Sequence, residues 1–154
     1  MPNAVRLPRN TNQARGLGRY ALDFLSGSLG EGPSQQVLDR VQLFHTDSVL
    51  CGVSALALGT NAPNLLRQEA FEYPDANGAG VFGSPVRVKP EKAVVANSAA
   101  VREWDSNGTN FGYNPALGHT AGEFGHNDFY PVVIAACQQR HLDGATALQG
   151  MLLL

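Results

Sequence analysis

Five glycines fall between Asp105 and Asp128, in a stretch that joins one helix-forming run to another. Glycine weakens a helix and lets the backbone take unusual dihedrals and approach a ligand closely. No continuous helix can therefore cross this stretch. The segment from Asn97 to Tyr130, NSAAVREWDSNGTNFGYNPALGHTAGEFGHNDFY, reads as a helix end, a glycine-rich loop and the start of a second apolar helix. The loop gathers Asp105, Thr109, His119, Glu123 and His126, and no other part of the chain sets so many proton-handling side chains beside so many glycines. Functional residues concentrate on loops held by a scaffold. The competing reading is a solvated surface loop in which Asp105 is a turn residue and His126 a cap.

The rest of the chain supplies the scaffold. At 154 residues it has the length of one domain. Residues 1–11 are expected to be a disordered arm, and 12–154 a partial helical domain completed by another chain or by a C-terminal part. From Asn12 to Leu29 the positions Leu17, Ala21, Phe24 and Leu25 recur at helical spacing until GSLGEG stops them. Ser34 is a candidate N-cap for a long helix to Leu58, on which Gly52, Ser54, Ala55 and Ala57 permit close approach of a neighbour. His45 and Asp47 on that helix read as ordinary satisfied polar residues. A short helix follows from Asn64 to about Glu72, with Pro63 near its start. Val81-Phe82 and Val86-Arg87-Val88 flank Gly83-Ser84-Pro85, which predicts a small hairpin or extended loop near 80–89. Helices restart at Pro90, at about Phe129 behind Asp128, and after Asp143-Gly144. The fold class is mainly α.

Composition limits the partners. The net charge of −2 gives no general attraction to nucleic acid or an anionic membrane. No run of eighteen apolar residues predicts a membrane span. Charged residues are 16% of the chain, against roughly 25% in a typical soluble domain. A subunit or fragment with large contacts fits this better than an isolated monomer, and the uncharged ending at Met151-Leu152-Leu153-Leu154 points the same way. Cys51 and Cys137 are expected as two buried thiols of a cytoplasmic protein, since both lie in apolar helical patterns and form no CxxC pair.

Each loop residue has a chemical argument. Asp105 would follow a helix C-terminus, whose partial negative charge raises a carboxylate's proton affinity and makes it a useful base. Asn107-Gly108 would turn the chain so that the Thr109 hydroxyl reaches back to Asp105. His126 would precede a helix whose unpaired N–H groups attract a substrate carboxylate. His119, Glu123 and His126 are spaced H-x3-E-x2-H, unlike the helical i, i+4 histidine pair of zinc sites, so no metal is expected.

The ordered set Val81-Phe82-Gly83, Pro90, Ala96-Asn97-Ser98-Ala99-Ala100, Asp105-x3-Thr109 and Gly125-His126 resembles the MmgE/PrpD family, which includes 2-methylcitrate dehydratase and cis-aconitate decarboxylase. Thr46 to Gly52 is similar to that family's L-D-T-L-G-C-G helix. The resemblance implies the helical N-terminal domain of a cofactor-independent lyase acting on citrate-like acids, with Asp105, Thr109 and His126 lining the pocket. It also implies that further pocket residues and a second domain lie outside this chain. The loop departs from the family by its length, which adds His119, and by Ser106, Gly108 and Asn127-Asp128 in place of the usual residues.

Asp105 and His126 are therefore the expected proton carriers, with Thr109, His119 and Arg102 binding substrate and no cofactor. Arg102 is the sole cation near the loop, and a dianionic intermediate needs more. A second polypeptide in a homo- or hetero-oligomer is expected to complete the site, and the chain alone is expected to be inactive. The alternatives are an isomerase or epimerase of dicarboxylic acids, or a non-catalytic helical subunit that only dimerises.

Overall fold

The structure is a computed structural model that describes residues 8–104, 106, 109–110, 114–118 and 123–154. Among these residues six α-helices carry the architecture: α1 Gln13–Leu25, α2 Gln35–Ala57, α3 Asn61–Ala70, α4 Pro90–Arg102, α5 Tyr130–Gln139 and α6 Gly144–Met151. Two small antiparallel sheets accompany them. β1, Pro74–Gly80, pairs with β2, Arg87–Val88, and β3, Thr109–Asn110, pairs with β4, Glu123–Phe124. The mainly α class with a short hairpin is as expected.

α4 is the central helix, packed against α2, α3 and α5. Its sequence explains why. Ala93, Ala96 and Ala100 are buried, so neighbours approach closely where a larger side chain would hold them off. One core cluster joins Ala93 and Ala96 to Ala70, Ala79, Val81, Val88 and Ala135. A second holds Val41, Tyr130 and Met151, with Phe44, Ile134 and Leu148 packed against it. On α2 the small residues act as expected at Gly52 and Ala55, both buried, whereas Ala57 is exposed. A Cβ on Gly52 would come within 2.7 Å of the Phe82 ring.

The helix ends follow capping chemistry. Asn12 Oδ1 accepts from the Arg15 N–H at α1, and Asp143 Oδ1 accepts from the Thr146 N–H at α6. Ser34 occupies the cap of α2 without a side-chain bond, and Pro90 opens α4. Gly27, Gly30 and Gly32 adopt positive φ after α1, which ends that helix where GSLGEG predicts.

Four sequence expectations are corrected. Val81-Phe82 is not a strand: β1 runs earlier, through PDANGAG, because glycine at 78 lets two backbones meet. Asp128 does not cap α5. It lies in a 3₁₀ turn, His126–Phe129, and its carboxylate faces Arg102 at 3.4 Å. Asp47 is solvent-exposed rather than packed, and Cys51 is half-buried beside Ser106 Oγ at 3.7 Å while Cys137 is buried. Residues 1–7 of the expected arm lie outside the described residues, and Thr11 closes a turn onto the Pro8 carbonyl. Among the described residues no single helix is long and apolar enough to cross a membrane.

The hairpin is tied to the helices by side-chain hydrogen bonds, most of them part-buried. Asn97 accepts from the Phe82 N–H and donates to the Gly80 carbonyl, both at 3.0 Å. Gln138 Oε1 accepts from the Gly80 N–H at 2.8 Å, and Arg67 donates to the Phe82 and Gly83 carbonyls. Asn97 of the A-N-S-A-A stretch thus fixes the Val-Phe-Gly turn onto α4.

Candidate functional site

The helix α4 and the turn before α5 meet at the loop. Ser98 Oγ donates to the Asp128 carbonyl at 2.7 Å, and the Asp128 N–H closes the turn onto the Gly125 carbonyl. Gly125 sits against the Arg102–Asp128 pair, so a side chain there would collide with both partners. The ladder Thr109–Phe124 and Asn110–Glu123 brings the two arms of the loop together. Thr109 and His126 are thereby placed on converging backbone. The sequence carried no strand signal for this ladder, because two residues are too few to show period-2 alternation.

His126 is half-buried and held by aromatic edges. Its ring meets Phe44 of α2 at 5.6 Å and 77°, and Tyr130 at 5.5 Å and 88°. Such edge-to-face pairs contribute roughly 0.5–1.5 kcal/mol each beyond burial, which favours this orientation of the imidazole. Arg102 is exposed and lies beside Asp128 rather than alone. Asp105 and His119 lie outside the described residues. For Thr109 and Glu123 the structure gives the backbone course alone.

His126 also lines a groove of about 730 Å³ between α2, α6 and the turn. Val41, Phe44, Tyr130 and Met151 give it apolar walls, and Arg40 and Asp39 stand among the lining residues. Neither the groove nor Phe44 and Tyr130 as partners of His126 was expected from the sequence. Phe44 lies far away along the chain, and pairwise packing leaves no local pattern. Among the described residues no cluster of His, Cys, Asp and Glu could hold a metal ion.

Asn127, beside His126, is fully buried, and among the described residues neither amide atom has a hydrogen-bond partner. An unsatisfied buried polar group costs about 1–3 kcal/mol. Asn127→Leu, which keeps the branched shape and removes both polar atoms, is expected to raise unfolding free energy by about that amount. Urea denaturation checks this, and an unchanged or lower midpoint would mean that the amide is satisfied.

His45 lies one residue from Phe44 and packs near Tyr130, ring centroids 6.1 Å apart. Burial lowers its pKa below the usual 6.5. Tyr130 is pushed the other way, its phenol held above 10.0 by burial. For the histidine, the unfolded chain takes up its proton first as pH falls, so stability that is fully present above about 6.5 is lost progressively as pH falls from there through the lowered folded value. His45→Phe should flatten this part of a stability-versus-pH curve, measured by urea unfolding between pH 5 and 8. An unaltered slope would assign it to another group.

No protein-family model matches the chain, and no solved structure matches it.

Proposed function

We propose that the chain forms part of a cofactor-independent lyase of MmgE/PrpD type, a dehydratase or decarboxylase of citrate- or aconitate-like acids. The observation that carries this reading is the fixed imidazole of His126, held between Phe44 and Tyr130 where the loop arms converge. A histidine so oriented can move a proton at the carbon next to a carboxylate, given a base to share the work. Asp105 is the partner we assign, with Thr109, His119 and Arg102 binding carboxylates. Arg102 is screened by Asp128, so the negative charge that develops needs further donors from a second polypeptide.

The test is hydrogen–deuterium exchange. The chain, purified with any polypeptide that accompanies it, is incubated in D2O with cis-aconitate, citrate or 2-methylcitrate. The expected result is exchange or turnover at the carbon beside a carboxylate, seen by proton NMR. Its absence with every acid, in an assembly shown to be complete, removes the proposal. Product identity separates a lyase from an isomerase or epimerase, which begins with the same proton transfer.

One observation favours a second reading, a non-catalytic subunit. Leu43, Leu50 and Val53 on α2 and Leu17, Leu22 and Leu25 on α1 are all exposed, an apolar surface suited to contact with another chain.

A further inference from the structure

Tyr130 also lines a second and more enclosed cavity of about 110 Å³. It is walled by α2, α4 and α5 together with Phe82 of the hairpin turn, so it belongs to the packed core and not to the loop. Three polar residues that can offer it a hydrogen bond line it: His45, Ser48 and Tyr130. Asn97 also lines it, but both ends of its amide are occupied by the Gly80 carbonyl and the Phe82 N–H. Ser48 Oγ donates to the Phe44 carbonyl at 2.8 Å, which leaves its oxygen able to accept. Among the described residues no hydrogen bond engages His45 or the Tyr130 hydroxyl. Buried polar groups are normally paired. His45 is half-buried and Tyr130 buried, and both line the opening.

We propose that this cavity is a binding site for a small neutral molecule with one hydrogen-bonding head and a short apolar body. The lining sets that class. Val101, Pro131, Ile134 and Phe82 offer only apolar contact to the body. The head meets a hydroxyl that can donate (Tyr130), an oxygen that can accept (Ser48) and an imidazole that does either. Among the described residues no lysine or arginine lines the cavity, so an anion would enter without a counter-charge and lose its hydration. Size sets the length. An apolar protein cavity of roughly 150 Å³ accommodates benzene, so the present one suits about four or five non-hydrogen atoms. A short-chain primary amide or alcohol meets all three conditions. The site is separate from the proposed lyase chemistry and stands whether or not that reading does.

Propionamide is the probe, and propionate, nearly identical in shape but charged, is its control. The full chain is labelled at valine and isoleucine methyls and titrated at pH 7.5. Propionamide is expected to shift the Val101 and Ile134 methyls saturably in the millimolar range, with intermolecular NOEs to both. Propionate is expected to leave them unmoved. Val101→Phe, which fills the space, should abolish the shifts. Tyr130→Phe, which removes one donor and keeps the ring, should weaken binding about three- to tenfold, and it carries the test if the filled variant does not fold. Methyls that stay put with the folded wild type, or that move equally with propionate, overturn the proposal. So do shifts that persist in a folded Val101→Phe, or that spread without saturation over exposed leucines.

Discussion

Gly78→Ala is expected to lower the unfolding free energy by about 3 kcal/mol, at the upper end of what overpacking a closely fitted site costs. A Cβ at position 78 would overlap the carbonyl of Val88, with the Val88 carbonyl carbon at 2.6 Å. Rotating a side chain cannot relieve that contact, because both parties are backbone. β1 would have to move away from β2, yet Val88 is fully buried and Ala79, next to Gly78, is fully buried on the same core. The pairs Ala79–Val88 and Gly80–Arg87 would be lost with it, and with Gly80 its bond to Gln138 on α5. Alanine restricts the unfolded chain, which offsets only about 0.4–1 kcal/mol. Gly144→Ala provides the comparison. Nothing lies within 4 Å of a Cβ there and its φ is not positive, so its effect should stay within about 1 kcal/mol. Urea denaturation of the two variants side by side makes the measurement. Equal midpoints would show that β1 and β2 separate without cost.

The same glycine shows where the sequence could be read and where it could not. The helices announced themselves, since Leu17, Ala21 and Phe24 or Val94, Val101 and the alanines between them repeat at helical spacing. Caps were less legible: of the two nominated, Ser34 opens α2 without a side-chain bond and Asp128 does not cap α5, whereas Asn12 and Asp143, which the sequence reading did not single out, bond the N–H groups of α1 and α6. PDANGAG carried none of the β-branched residues that mark a strand, and its strand exists because a distant backbone comes close. Tertiary approach is invisible in a local pattern. The site divides in the same way. His126 and Arg102 could be nominated from residue type and position. That Arg102 would face Asp128 depends on how the turn before α5 meets α4, and that Phe44 would meet His126 and His45 would border a cavity depends on how α2 packs against that turn and α4.

In the complete assembly, His126→Ala is expected to reduce turnover by about 10²–10⁴-fold, the contribution of a positioned acid or base. Truncation alone would not separate chemistry from folding, because His126 also packs against two rings. Phe44→Leu is the informative companion. It keeps the imidazole and most of the apolar volume but removes one of the two edge contacts that orient it. One such contact is worth roughly 0.5–1.5 kcal/mol, so the loss of rate should be about ten-fold at most, with the pH dependence of kcat/KM unchanged in shape. His126→Ala should instead erase the limb of that profile that belongs to the histidine, while circular dichroism shows the helices intact. Asp105→Ala should cost as much as His126→Ala, and the double variant little more than either, because two groups acting on one proton do not contribute independently. A scaffold subunit predicts the opposite pattern: all three variants retain the assembly's activity, and Leu50→Asp on the exposed face of α2 abolishes it by breaking the contact between chains. Full activity in both His126→Ala and Asp105→Ala would end the lyase reading.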